Sequence, residues 1–436
     1  MSVTIEKVAV IGGGTMGSGI AAACAAAGRS VLVLDATLEA AQKALDRVLS
    51  TAQSPEEREI LAKNTRVGAL DDSLSDLAEI DWICEAIIED RDAKRALFDK
   101  IESARRDGSI VSTNTSGILL SDLTEGLPAR LRSDILVSHF FNPVRLMKCV
   151  EIVPGSETRP EATAALSGFC RDVLGKGVVD AKDTVNFIAN RIGCYWMLAG
   201  LHKAKTALAA GLSEEAIDAL MGAPVGLPPT GLYGLIDLIG LDVMDHVGRN
   251  MDANLPDGDL GKPIARLPDA EAAMLARGQL GRKTGGGFGR VVKLPDGGKR
   301  KDVFDLRSGE WRPAVPVKLS PEHAQWATLA LQDDAAGQFA WDLMGSTLLY
   351  AADLVPTISD DIVNVDRAMQ WGYNWKRGPF QLIDDLGADK IIARLEAAGQ
   401  PLPKMLAVLK AAGVDRFYRD GTALAADGSY QPIPAE

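Results

Sequence analysis

The chain has 436 residues, 47% of them hydrophobic, and a formal net charge of −12. That length predicts two or three domains with ample core. The acidic balance argues against non-specific binding to nucleic acid or to an anionic membrane surface, though a local basic pocket for a phosphorylated ligand is compatible with it. Cys24, Cys84, Cys149, Cys170 and Cys194 are widely spaced, with no C-x-x-C, and are expected as buried free thiols in a reducing compartment. A strand begins almost at once, leaving no room for a signal peptide, and no apolar stretch is long enough to span a bilayer. A cytoplasmic protein is expected.

Lys7 to Ile11 reads as a strand, with the apolar run of a parallel strand covered on both faces. Gly12, Gly14 and Gly17 follow as G-x-G-x-x-G. The first allows a tight turn, the second lets a pyrophosphate approach the backbone, and the third lets a helix pack on the strand. That helix, Thr15 to Ala27, opens with Thr15 and Met16 and directs its N-terminus at the phosphates. Ser30 to Leu34 is the next strand. Asp35 ends it, at the spacing of an acid that binds the adenosine ribose hydroxyls. Strand, turn, helix and acid together predict a dinucleotide site. They favour NAD over NADP, because a carboxylate would repel a 2′-phosphate. Alone, Asp35 also reads as a cap for the segment that starts near Thr37.

Residues 37–64 are helical and charged, broken at Ser54-Pro55 into a hairpin. Asp81 to Ala86 is another buried strand. It leads to I-I-E-D-R-D-A-K, which puts Glu89 and Lys94 at the mouth of a helix. By pattern alone these are a cap and a surface pair. Ser109 to Thr113 is a strand ending in N-T-S-G (Asn114 to Gly117), residues that suit either a ligand crevice or a plain turn. Ile135 to Val137 leads to His139 at a strand end. A second apolar run, Cys149 to Val153, can carry Glu151 back towards it. A carboxylate on the far nitrogen of a histidine makes it a better general base. On this stretch alone, a structural histidine with a solvated Glu151 is the plainer reading.

Lys176 to Val179 reads as the last strand of the sheet. Asp183-Thr184 then opens a long buried helix, roughly Asn186 to Ala209, interrupted by Asn190 and Arg191. Asn190 is either a packing polar group or a ligand contact. The chain looks all-helical to about Lys293, closing with G-R-K-T-G-G-G-F (Gly281 to Phe288), which carries Lys283. Residues 291–320 read as a linker with a small hairpin. Residues 331–436 are helical again and partly repeat an earlier segment. Gly231, Ile236, Asp237, Gly240 and Asp242 match Gly378, Ile383, Asp384, Gly387 and Asp389, all 147 positions later.

Together these pieces resemble the L-3-hydroxyacyl-CoA dehydrogenase family. The resemblance is carried, in order over residues 1–290, by V-I-G-G-G-T-M-G-S-G-I-A, E-A-I-I-E-D, N-T-S, H-F-F-N-P-V, D-T-V-N-F-I-A-N-R and G-R-K-T-G-G-G-F. It is closest to the dehydrogenase part of two-copy bacterial fatty-acid oxidation chains fused to an enoyl-CoA hydratase. The resemblance implies an α/β Rossmann-type NAD-binding domain followed by an all-α C-terminal domain present in two copies. The expected boundaries are 1–184, with the hairpin insert at 37–64; 185–293 for the helical substrate domain; 294–330 for the linker; and 331–436 for a second, structural helical domain. It implies NAD-dependent oxidation of an acyl-CoA substrate in β-oxidation, with His139 as base and Glu151 as its partner. Ser116 and Asn190 would sit beside the reacting oxygen. Gly12, Gly14, Thr15, Met16, Gly17, Asp35, Glu89, Lys94, Asn142 and Lys283 would line the cofactor. No residue is assigned to a metal. Single-copy members pair through their helical domains, so a duplicated domain predicts a monomer, whether alone or within a longer fused chain or β-oxidation complex.

Two departures stand out. Gly117 replaces a second serine common in the family. The hairpin, which usually supplies basic residues to CoA, offers only Lys43, Arg47, Arg58 and Lys63 among many acids. Two rivals remain: a related dehydrogenase of a non-CoA hydroxy acid or sugar acid, and a non-catalytic NAD-binding protein.

Overall fold

The structure is a computed structural model that describes residues 4–435. It divides into two compact units. The first runs through Ile188 and includes Thr357–Ser359. The second comprises Ala189–Pro356 and Asp360–Pro434.

The first unit is built on β1 (Lys7–Ile11), α1 (Thr15–Ala26), β2 (Ser30–Asp35), α2 (Leu38–Ser50), α3 (Pro55–Asn64) and β3 (Thr65–Ala69). It continues with β4 (Trp82–Glu85), α4 (Arg91–Ala104), β5 (Ile110–Thr113), α5 (Leu120–Thr124), α6 (Ala129–Asp134), β6 (Ile135–Phe140), β7 (Cys149–Pro154), α7 (Pro160–Gly168) and β8 (Gly177–Asp180). The strands form one sheet, ordered β3-β2-β1-β4-β5-β6-β7-β8. Pairings among β1 to β6 are parallel; β7 runs antiparallel to β6, and β8 parallel to β7. Strand order reverses between β1 and β4, so a crevice opens beyond their carboxyl ends. The central strands are apolar because both faces are covered. Trp82, fully buried, packs on Phe140 and Phe169, and its indole N–H donates to Ser112 Oγ at 2.8 Å. Ser54 caps α3, with Pro55 in its first turn, which breaks the charged segment into two helices.

Two details differ from the sequence reading. The edge strand β3 was not expected; T-R-V-G-A lacks the apolar run that announces the other strands. The long helix starts at Ala189 rather than Asn186, because Asn186 and Phe187 adopt positive φ (63° and 51°), which no helix continues.

The second unit opens with α8 (Ala189–Ala209), buried on almost every side, then α9 (Glu214–Leu220), α10 (Gly231–Ile239), α11 (Leu241–Asn254) and α12 (Asp269–Ala276). Residues 294–330, expected as a linker, are instead part of this unit. The strands β9 (Gly289–Lys293), β10 (Lys299–Asp305) and β11 (Glu310–Pro313) form an antiparallel sheet. Arg312 fastens it to α9 through Glu214 (2.7 Å) and Glu215 (2.6 Å), and Glu214 also accepts the Leu306 N–H at 2.9 Å. These bonds, with the buried Val303 and Phe304, order a Pro- and Gly-rich stretch. The remainder is α13 (Trp326–Leu329), α14 (Ala335–Ala340), α15 (Ser346–Leu354), α16 (Ile362–Gly372), α17 (Pro379–Leu386), α18 (Ala388–Ala397) and α19 (Lys404–Ala411). A closing sheet, β12 (Tyr418–Arg419), β13 (Thr422–Leu424) and β14 (Tyr430–Pro432), was not expected.

One carboxylate arrangement occurs twice. Asp218 accepts the N–H groups of Tyr233 and Gly234, and Asp237 those of Phe288 and Gly289. Asp366 accepts those of Phe380 and Gln381, and Asp384 those of Phe417 and Tyr418.

Candidate active site

His139 and Glu151 are register partners across the antiparallel β6–β7 pair, so their side chains project from one face of the sheet. His139 Nδ1 donates to Glu151 Oε2 at 2.7 Å. Glu151 is fully buried and His139 is 5% exposed. The other carboxylate oxygen, Oε1, accepts the Ile188 N–H at 3.1 Å, a donor that the positive-φ pair Asn186-Phe187 delivers. Phe141 and Phe187 pack on the imidazole, with ring centroids 4.6 and 5.8 Å away. Among the described residues Nε2 has no partner, which leaves it as the nitrogen able to exchange a proton.

The N-T-S-G turn lies beyond β5, the strand beside β6. Asn114 Oδ1 accepts the Phe140 N–H at 2.9 Å and ties the two strand ends together. Glu89 Oε1 accepts from Thr115 Oγ1 (2.6 Å) and from the N–H groups of Ser116 (2.9 Å) and Gly117 (3.1 Å), and so sets the turn that presents Ser116. Burial pushes the Glu89 carboxyl up, but the Lys94 charge and these donors outweigh it and hold the group below its ordinary value. Lys94 is no surface residue. It is 1% exposed, 2.7 Å from Glu85 and 3.3 Å from Glu89, and the cap of α4 is Asp90. Glu85 is itself fully buried and also accepts from Thr113 Oγ1 and the Ile87 N–H. Sequence reasoning did not assign Glu85 a role, although a carboxylate closing a wholly apolar strand was a legible signal.

The glycine turn is a cradle that side chains would fill. Gly12 has φ +102°, and a Cβ there would lie 2.5 Å from the Ala86 carbonyl oxygen. A Cβ on Gly17 would meet the Gly12 oxygen at 1.8 Å, so the helix could not pack so closely. Gly14 faces open space within 4 Å, at the uncapped start of α1 where Thr15 and Met16 begin the helix. Asp35 accepts the Gly13 N–H through Oδ2 (2.8 Å) and the Ala36 N–H through Oδ1 (2.7 Å), with lone pairs left for further donors. Arg47 donates to the Gly13 carbonyl at 2.7 Å and braces the turn from α2.

Asn142 is exposed in the loop after β6, joined to Pro143 by a cis peptide bond. Two of the expected site residues belong to the second unit. Lys283 is exposed and paired with Asp242 at 2.6 Å. Asn190, in the first turn of α8, accepts from the Tyr373 hydroxyl at 3.1 Å.

Residues 7–184 match the NAD binding domain of 3-hydroxyacyl-CoA dehydrogenase, and residues 187–291 match its C-terminal domain. A Bacillus subtilis (strain 168) protein named as a probable 3-hydroxyacyl-CoA dehydrogenase is 35% identical over 98% of this chain and 57% of its own length. One from Deinococcus radiodurans, named likewise, is 36% identical over 66% of this chain and 84% of its own. The chain belongs to the 3-hydroxyacyl-CoA dehydrogenase family. Family members are NAD-dependent oxidoreductases, and the first unit is the NAD-binding domain. The solved (S)-3-hydroxybutyryl-CoA dehydrogenase PaaH1 of Ralstonia eutropha is 30% identical over 65% of this chain and 98% of that one, with TM-score 0.58. The Escherichia coli 3-hydroxybutyryl-CoA dehydrogenase covers 94% of this chain at TM-score 0.71 and 24% identity, a likeness of fold. The chain spans little more than half the length of the Bacillus relative. These matches correct one expectation: they find one domain of each kind, and the second helical copy at 331–436 is matched by neither. Its departure from the helical-domain pattern is physical, since residues 335–354 form a helix interrupted by a π turn where α8 is continuous.

The donor set fits NAD: an open glycine cradle at a helix N-terminus with Asp35 one strand away. Of the hairpin cations, the two arginines are engaged by backbone carbonyls, Arg47 with that of Gly13, while Lys43 and Lys63 are exposed. Lys43 pairs with Glu39, and Arg58 donates to the Leu49 carbonyl. All five cysteines are buried and free, and among the described residues no helix is long and apolar enough to cross a membrane.

Proposed function

We propose that the chain oxidises L-3-hydroxyacyl-CoA to 3-oxoacyl-CoA in fatty-acid β-oxidation, with His139 as general base and Glu151 as its partner. The observation that carries this reading is the buried His139–Glu151 pair with Nε2 left unengaged. Oxidation of a secondary alcohol removes a hydroxyl proton and a hydride. NAD, when bound, supplies the hydride acceptor. His139 Nε2 takes the proton, and the Glu151 carboxylate stabilises the imidazolium that forms. Ser116 and Asn190 hydrogen-bond the reacting oxygen. Gly12, Gly14, Thr15, Met16 and Gly17 hold the pyrophosphate, Asp35 the ribose, and Glu89, Lys94, Asn142 and Lys283 complete the cofactor surroundings. Relatives in two Rickettsia species bear names of the fatty acid oxidation complex, which supports the β-oxidation assignment and a place in a longer chain. The buried free thiols support a cytoplasmic, reducing setting.

A second reading, a dehydrogenase of a hydroxy acid without CoA, is favoured by the engagement of Arg47 and Arg58 with backbone carbonyls. The test is NADH formation with a series of L-3-hydroxyacyl-CoA chain lengths and with the matching free acids. Turnover of the CoA esters with a kcat/KM at least a hundredfold above the free acids is expected. Preference for the free acids would overturn the proposal in favour of the second reading.

A further inference from the structure

Asn190, Gly193 and Cys194 lie one helical turn apart on a single face of α8. The residue seated on that face is Tyr373, which follows α16 in the segment of the second unit that the family domains do not match. Its hydroxyl donates to Asn190 Oδ1 at 3.1 Å and lies 3.8 Å from Cys194 Sγ. Gly193 makes the room: a Cβ there would fall 2.2 Å from the end of the Tyr373 ring and 2.6 Å from its oxygen. Asn190 Nδ2 has no partner among the described residues. The phenol therefore engages the acceptor end of the amide and leaves the donor end unengaged.

We infer that Tyr373 is a positioning residue for the dehydrogenase reaction: it orients the Asn190 amide so that Nδ2 faces the substrate oxygen. This rests on the proposed role of Asn190 as donor to that oxygen. The chemistry needs the orientation. As the alcohol oxygen loses its proton it becomes a strong acceptor, and an amide turned the other way would face it with a second oxygen. An asparagine χ2 torsion is broad and soft, so the amide does not hold itself in one orientation. A hydroxyl that can donate to Oδ1 removes that freedom before substrate arrives, which is preorganisation of an electrostatic contact. The terminal region, expected to be structural, thereby acts on the chemistry of the substrate domain.

The experiment compares four variants of the full chain: Tyr373→Phe, Gly193→Ala, Asn190→Ala and Asn190→Ala with Tyr373→Phe. Each is measured for kcat, for KM with an L-3-hydroxyacyl-CoA, for NAD affinity and for thermal midpoint. Tyr373→Phe keeps the ring and removes only the hydroxyl. It should lower kcat about tenfold, the worth of one hydrogen bond realised in the transition state. KM, NAD affinity and thermal midpoint should stay within twofold or a few degrees of wild type. Gly193→Ala leaves Asn190 and Tyr373 unchanged in chemistry but displaces the phenol. It should lower kcat similarly, even though alanine is the better helix former. The double variant should be no slower than Asn190→Ala alone, since the phenol acts only through the amide. A normal kcat in Tyr373→Phe, or losses that multiply in the double variant, would overturn the inference while leaving Asn190 in place. Full activity in Asn190→Ala would overturn it at its premise. Absence of NAD-dependent oxidation by the wild-type chain would overturn the functional proposal, and the inference with it.

Discussion

His139 and Glu151 are twelve residues apart in sequence. They meet because a loop returns β7 antiparallel to β6 and sets the two directly opposite. If the pair transfers the proton, oxidation requires neutral imidazole in the free enzyme, and kcat/KM should fall towards acid pH. His139→Gln should abolish that acid limb and slow oxidation by about 10²–10⁴-fold, the usual worth of a positioned base. NAD affinity should survive, because the glycine turn and Asp35 belong to other elements. Glu151→Gln should also slow turnover, since an amide cannot supply the charge that stabilises imidazolium. The two losses should not multiply, because both act on one proton transfer. Near-normal turnover in the His139 variant, or simple multiplication across a double-mutant cycle, would show that the pair is not the catalytic unit. The strand end, the imidazole and a returning carboxylate were all legible in H-F-F-N-P-V and C-V-E-I-V. The burial of Lys94 against Glu85 was not, because a lysine at a helix mouth reads as surface, and only the assembled sheet reveals that it is covered.

Among the elements, the strands that line the crevice could be read from their apolar runs, because a sheet covered on both faces leaves a continuous signal. Elements ordered by individual polar bonds could not. The sheet of β9, β10 and β11 is held by Arg312 to two glutamates, and the segment around β12 by Asp384, neither of which has a period to detect. The helix α12 carries a related feature with a measurable consequence. Glu271, in its first turn, is 3% exposed and makes no ion pair among the described residues. Burial, with Asp269 nearby and only partial relief from Lys205, pushes its carboxyl up to about 7. The folded-state pKa is raised, so the neutral form is favoured in the native state. Its contribution is therefore fully present below the ordinary glutamate range and is lost as pH rises from about 4.5 to about 7. Glu271→Gln removes that titration and should raise the unfolding free energy at pH 8 by about 2–3 kcal/mol, with little change at pH 4. Urea unfolding at the two pH values checks this. Equal effects at both, or a loss at pH 8, would contradict it.

At the scale of the whole chain, length foretold more than one domain, but neither it nor the acidic charge carried anything about assembly. That question turns on α8. A helix buried on almost every side must be covered, whether by its own chain or by another. Here residues far along the same chain cover it. Arg191 is bonded to Tyr350 (2.5 Å) and to Asp259 (2.5 Å), and Tyr195 stacks on Tyr350 with centroids 4.2 Å apart. Trp196 meets Trp375 edge to face, and Tyr373 fills the Gly193 notch. All these residues belong to one compact unit. An apolar face satisfied internally has no need of a second copy. The full chain should therefore be a monomer, and light scattering at low micromolar concentration should return a mass near 46.3 kDa. A chain ended at residue 330 loses Tyr350, Tyr373 and Trp375 together and bares the α8 surface. It should dimerise or aggregate under the same conditions, because losing the Tyr350 hydroxyl from Arg191 and exposing Tyr195 and Trp196 removes a buried polar partner and apolar contacts, although Asp259 remains to pair with Arg191. A dimer mass for the full chain would show that the internal cover is not sufficient. A well-folded monomer of the shortened chain would show that it is not required.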